Sequence, residues 1–259
     1  MDNSMAGCRA KPGFSSGAPP TDRDRGARDP AVLTPKDYGE EWSSGKRGGI
    51  MEWLKGVHVI ETYATTTLLV DDRLVLVDTS ADADAGKVLD YLSNIRVKPK
   101  DLSTIFITHT HPDHVGGLAA IKHGSPAKVA AHKIEADFIA RKRVYDGPSG
   151  PQHHPGTPVD LLLDDGQKID GLEVIFTPGH TRGSISLLDP SRSVLIAGDA
   201  ARNESGLGPM DDRYNVDPKQ HRESIKKLAK FHFDNAIFGH GAPIKGGASS
   251  KFTDLAKRL

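Results

Sequence analysis

The run His109-Thr110-His111-Pro112-Asp113-His114 packs three imidazoles and one carboxylate into six positions. These are the side chains that bind divalent metal, provided that they converge on a point in their unprotonated form. Residues two apart in extended backbone point the same way, so His109 and His111 can share one ion. Asp113 and His114 lie beyond the turn directed by Pro112 and can address a second. Three further ligand-type residues each follow strand-like sequence: His180 in Thr177-Pro178-Gly179-His180, Asp199 in Ala197-Gly198-Asp199, and His240 in Phe238-Gly239-His240-Gly241. Gly179 permits the tight turn that the first of these needs. Singly, each is an ordinary polar residue after a strand; as a set, they form a candidate metal site. Two ions about 3.5–4 Å apart can hold a bridging hydroxide at neutral pH and polarise a carbonyl or phosphoryl oxygen. Such chemistry needs no Ser or Cys nucleophile.

The elements that must position these residues read as two similar halves. Val57 to Tyr63, Thr67 to Val70 and Leu74 to Asp78 are strand-like, with Asp71-Asp72-Arg73 as the turn between the last two. Asp82 or Asp84 can cap a helix that carries Val88, Leu92 and Ile95 on one face. A strand over Thr104 to Thr108 leads into the histidine-rich run, read as a loop. Gly117 to Lys122 reads as a short helix, Lys128 to Ala131 as a strand and Lys133 to Val144 as a helix. After a Pro-rich loop from Gly147 to Pro158, Leu161 to Leu163, Leu172 to Thr177, Ile185 to Leu188 and Val194 to Ala197 read as strands. Asp217 with Pro218 starts a helix to about His232, Ala236 to Phe238 is a further strand, and Ser249 or Ser250 can cap a closing helix. Two sheets packed face to face, with helices outside, would use these elements.

Composition narrows the functions. Thirty-four basic and 34 acidic residues cancel, so no global field draws the chain to nucleic acid or anionic membrane. Apolar runs such as Val194 to Ala197 fall far short of the roughly 20 residues that span a bilayer. Cys8 is the only cysteine, which excludes an internal disulfide and any need for an oxidising compartment. A cytoplasmic protein is expected. Residues 1–50 are rich in Gly, Pro, Ser, Asp and Arg, with no apolar stretch like that of a secretory signal, and read as a disordered extension. Residues 51–259 read as one domain.

The order and spacing of the H-x-H-x-D-H run, His180, Asp199 after a glycine, and His240 resemble the five-motif pattern of the metallo-β-lactamase superfamily. Its first motif, an Asp after a strand, is matched by Asp78 in Leu76-Val77-Asp78-Thr79. The resemblance covers about residues 57 to 245. It implies an α/β (α+β) fold, a four-layer αββα sandwich with the site at one edge between the sheets. It further implies that His109, His111 and His180 hold one metal, that Asp113, His114 and His240 hold another, and that Asp199 bridges both. The implied ions are two Zn2+, with iron or manganese as alternatives. Asp78 would orient a ligand and Asp113 would also orient the nucleophile, which makes these two the candidate catalytic residues.

The implied activity is hydrolysis of a small-molecule ester, thioester, lactone or lactam, with weak β-lactamase activity as a side reaction. His111 stands where flavodiiron oxidoreductases of the family carry Glu, and Asp199 where antibiotic-hydrolysing members commonly carry Cys or Ser. The ligand set resembles that of glyoxalase II, but the chain ends at Leu259, too soon after His240 for that family's helical C-terminal domain. The alternatives are phosphodiester cleavage, as in the ribonuclease branch, and persulfide dioxygenation with a single iron. Zero net charge and the lack of RNA-binding modules speak against the first. Among the other histidines, His221 and His232 are expected to be solvated and His153-His154 to form a surface loop. Asn203 to Tyr214 reads as a substrate loop in which Arg213 or Tyr214 touches substrate, and Lys245 either serves anionic substrates or is solvated.

Overall fold

A computed structural model describes residues 50–150 and 153–259. The expected extension therefore lies outside the described residues, apart from the backbone of Ile50. The first sheet is built from β1 (Ile50–Leu54), β2 (Val57–Ile60), β3 (Thr66–Val70), β4 (Leu74–Val77), β5 (Leu102–Ile107), β6 (Lys128–His132) and β7 (Leu161–Leu163), side by side in that order. β1 to β4 form an antiparallel meander, and β4 to β7 run parallel. The second sheet comprises β8 (Lys168–Ile169), β9 (Leu172–Phe176), β10 (Ile185–Asp189), β11 (Val194–Ile196) and β12 (Asn235–Ile237), ordered 12-11-10-9-8. Its pairs are antiparallel except β11 with β12.

The side-chain period of two sorts each strand between two cores. In β5, Phe106 enters the core between the sheets, whereas Ile105 and Ile107 face the helices. In β11, Val194 and Ile196 face the other sheet and Leu195 faces outward. Outside the first sheet lie α1 (Gly86–Asn94), a single turn α2 (Pro112–Val115), α3 (Leu118–His123) and a single turn α4 (Ala136–Ile139). Val88, Leu92, Leu118, Ile121 and Ile139 bury against that sheet. Outside the second sheet, α5 (Pro218–Leu228) and α6 (Ala248–Ala256) bury Ile225, Leu228, Phe252 and Leu255. The result is the expected four-layer αββα sandwich. No described helix is long and apolar enough to cross a membrane.

Several local expectations are corrected. β1 and the two-residue β8 have too little apolar alternation to be read alone, and exist because β2 and β9 offer them free edges. The helix expected over Lys133 to Val144 is one turn, because Arg141 turns left-handed at φ 56° and its guanidinium donates to the His154 carbonyl. The helix expected to reach His232 ends at Leu228. Ser249 does not cap α6: Gly247 stands at the cap, and the Ser249 hydroxyl donates to the Phe233 carbonyl and accepts from its N–H. The histidine-rich loop contains α2, with Pro112 in its first turn.

Phe252 is fully buried, edge-on to Phe233 at 5.3 Å and parallel to Phe238 at 6.2 Å. Phe252→Ala should cost about 3–5 kcal/mol, read as a lowered urea midpoint; an unchanged midpoint would remove α6 as an anchor of this layer.

Candidate metal centre

All seven predicted ligand residues lie at one end of the sandwich. β4, β5 and β6 run parallel in one sheet, and β9, β11 and β12 share a direction in the other. The loops that leave them therefore emerge together. Asp78 follows β4, His109 to His114 follow β5, His180 follows β9, Asp199 follows β11 and His240 follows β12. The Thr108 carbonyl accepts from Ile185 N–H at 3.0 Å and the Gly239 carbonyl from Thr65 N–H at 2.8 Å, which fastens the two sheets beside the cluster.

The donor atoms form three overlapping triads, each within 4.8 Å: His109–His111–His180, His109–His114–Asp199 and Asp113–His114–His240. His111 Nδ1 lies 3.1 Å from His109 Nε2 and 2.9 Å from His180 Nε2. Tetrahedral coordination at 2.0–2.1 Å would set such donors about 3.3 Å apart, so the spacing is that of ligands around one ion. Asp199 Oδ2 sits 3.2 Å from His180 Nε2, 3.4 Å from His240 Nε2 and 3.9 Å from His109 Nε2. Asp113 Oδ2 lies 3.2 Å from His240 Nε2 and 3.8 Å from His114 Nε2. One oxygen of Asp199 thus faces both groups of donors.

The outward side of four rings is also held, which aims their other nitrogen inward. His114 Nδ1 meets Asp78 Oδ2 at 2.8 Å, and His180 Nδ1 meets Asn215 Oδ1 at 3.0 Å. His111 Nε2 meets the Tyr145 hydroxyl at 3.2 Å, and His109 Nδ1 the Thr108 hydroxyl at 3.1 Å. Thr108 in turn donates its hydroxyl and its N–H to Asp78 at 2.8 Å each. Asp78, left-handed at φ 59°, therefore orients His114 directly and His109 through Thr108. The sequence pointed to Asp78 by resemblance. Tyr145 and Asn215 had no signal beyond their place in loops, because their partners are 34 and 35 residues away.

Two kinds of donor meet here. Burial, and then His180, push the His111 imidazole down to about 3; burial with His114 and His111 holds His109 well below its ordinary value. Both are neutral and keep their lone pairs. Burial opposes charge on Asp199 and His240 as well, but is outweighed. The His114 charge first, then hydrogen bonds from neighbouring rings, hold Asp199 well below the usual carboxylate range. Hydrogen bonds to Asp113 and Asp199 push His240 up to about 10, so the carboxylate-rich half calls for positive charge. His114 Nε2 and Asp199 Oδ1 are buried, 3.4 Å apart, in a geometry that makes no hydrogen bond. Buried polar atoms of this kind require a partner, and imidazole nitrogens facing carboxylates fit a divalent cation.

The cluster opens into a cavity of about 670 Å3 whose wall includes Tyr63, His153, Arg202, Met210, Arg213 and Tyr214. Arg213 stacks on Tyr214 at 4.9 Å. His153 borders the cavity, whereas its neighbour His154 is buried. Lys245 is exposed and does not border it. His232 is exposed, as expected, but the expectation that His221 is solvated is wrong. His221 is fully buried, accepts from Met210 N–H at 3.1 Å and lies against the His180 ring. Its spacing from Ser224, Ile225 and Leu228, all on the buried face of α5, carried that information.

Gly239 is required by space. A Cβ there would fall 2.0 Å from Asp199 Oδ1 and 2.8 Å from His114 Cε1. Gly239→Ala should displace both donors and lower metal content; retention of the wild-type metal content would show that the cluster can move aside.

Comparison with known proteins agrees with this geometry. The sequence profile of the metallo-beta-lactamase superfamily matches residues 60–240. Metallo-beta-lactamase domain-containing protein 1 of Xenopus laevis is 31% identical over 73% of this chain and 76% of its own length. Probable metallo-hydrolase YflN of Bacillus subtilis is 28% identical over 84% and 96%. A hydroxyacylglutathione hydrolase of Aeromonas salmonicida is 32% identical over 60% of this chain, which spans about half (52%) of that relative. Among solved structures, a Cronobacter sakazakii metallo-beta-lactamase with a HARLDQ motif superposes with a TM-score of 0.68 at 23% identity, covering 82% of this chain and 93% of that one; it shares the fold. By profile, fold and the order of its motifs, the chain belongs to the metallo-β-lactamase superfamily.

Proposed function

We propose that the protein is a binuclear metal-dependent hydrolase acting on an ester, thioester, lactone or lactam of a small molecule. His109, His111 and His180 would hold one ion, Asp113, His114 and His240 the other, and Asp199 would bridge them. The observation that carries this reading is the placement of Asp199 Oδ2 between His180 at 3.2 Å and His240 at 3.4 Å, with a histidine triad on one side and a carboxylate-containing triad on the other. Two divalent ions supply a water acidified to near neutral pH and an electrophile for the substrate oxygen. The five imidazoles and two carboxylates are those of a nitrogen- and oxygen-ligated ion such as zinc.

The chain's own residues account for the rest of the site. Asp113 is partly exposed in the wall of the cavity, where its carboxylate can accept a hydrogen bond from water and turn the oxygen lone pair toward substrate. Its carboxyl is held below the usual range by His114 and by the hydrogen bond from His240, against the effect of burial, so it is an acceptor at neutral pH. Asp78 keeps His114 aimed inward and bears no contact with the cavity wall. Tyr63 and Tyr214 present exposed rings at the cavity, which suits an organic acyl or leaving group more than a run of phosphates.

Elemental analysis of the purified protein should find close to two divalent ions per chain. His111→Ala and Asp199→Ala should each lower metal content together with kcat/KM on a lactone, thioester, β-lactam and phosphodiester panel. The loss should exceed the 10–100-fold typical of changes behind the ligands. A single iron with oxygen consumption, or undiminished turnover in either variant, would overturn the reading.

A further inference from the structure

Glu135 stands outside the ligand set, yet it touches both segments that deliver the histidine triad. It lies in the turn between β6 and α4, and the residue is 1% exposed. Oε2 accepts from the N–H of Thr110 at 2.9 Å, the residue between His109 and His111. Oε1 accepts from the Gly183 N–H at 2.7 Å and from the hydroxyl of Thr181, the residue after His180, at 2.9 Å. One side chain therefore ties the His109–His111 strand end to the His180 turn, which come from different sheets and lie some seventy positions apart in the chain.

The surroundings are shaped for this carboxylate. A Cβ on Gly183 would fall 2.7 Å from both Cγ and Oε1 of Glu135, so only glycine lets that N–H come so close. Thr181 is itself fixed by Ser184, whose hydroxyl accepts from Thr181 N–H at 3.1 Å and lies 2.7 Å from its Oγ1. The three donors to Glu135 are all neutral. A buried carboxylate without a charged partner is costly and persists where the structure needs it, and burial does push its carboxyl above the ordinary value.

We propose that Glu135 is a positioning residue for the histidine triad: it sets the separation of His111 from His180 and so the affinity of that half of the site for metal. The inference rests on the proposed metal centre. The hydrogen bonds of Glu135 go to Thr110, Thr181 and Gly183 and none to Asp113, His114 or His240, so that half should not depend on it. Glu135→Gln keeps the shape but turns an amide N–H toward a backbone N–H on one side, which forces the two segments apart.

The test is stepwise titration of the metal-free full chain with Co2+, following the ligand-field spectrum, with competition against a chromophoric chelator and far-UV circular dichroism of the metal-free forms. In Glu135→Gln, one of the two binding steps should weaken about 10–100-fold with an altered spectrum, while the other step and the metal-free dichroism stay as in wild type. Glu135→Asp, which keeps the charge on a shorter arm, should recover part of the lost affinity. Equal binding in variant and wild type, or equal weakening of both steps, would overturn the proposal. Should Glu135→Gln not fold, Thr181→Val carries the test, since it removes one donor and should weaken the same single step; unchanged affinity there would overturn it. Absence of Co2+ binding by the wild type would instead defeat the metal centre itself.

Discussion

Asp199, itself buried, meets the imidazoles of His109, His114, His180 and His240, and the rest of the structure is arranged around that meeting. His109 and His111 are neutral and offer only lone pairs inward, whereas Asp199 is held anionic, so the two kinds of donor are satisfied together only by a positive charge. The arrangement is costly unless a cation completes it. Gly239 has no side chain because Asp199 Oδ1 occupies that space. The outer nitrogens of four rings are engaged by Asp78, Thr108, Tyr145 and Asn215, because a free ring would turn its inward lone pair away.

Such a cluster needs a frame that does not yield. Three separate apolar cores, one between the sheets and one beneath each helical layer, carry the stability, so the loops at the strand ends are free to serve chemistry. Parallel strands make this economical: consecutive strands deliver their carboxyl ends to the same edge, and the two sheets bring their edges face to face. Cross-sheet hydrogen bonds at Thr108 and Gly239 then fix the gap within which the donors meet.

Much of this frame was legible from residue pattern. Strands such as β5 and β11 are short apolar runs whose alternate residues face different layers, and α5 has Asp217 at its cap and Pro218 in its first turn. What could not be read is what depends on a neighbour. β1 and β8 are strands by virtue of the edges they complete, and the segment after His132 has helix-forming residues but is halted by Arg141 reaching the His154 carbonyl. His221 looks solvated in the sequence because the charged residues around it mask the one face of α5 that turns inward.

The sequence by itself determined the chemistry on offer: which residues can bind metal, that they follow strands, and that their order is that of a known family. That information is local, held in residue type and spacing of a few positions. Only the tertiary structure decided which donors meet, at what distance, and what stands behind them. Tyr145, Asn215 and Glu135 act on His111, His180 and the segments around them across 25 to 48 residues of chain. A hydrogen bond between residues so far apart leaves no periodicity to read; it exists only once the sheets have packed and brought the two loops into contact.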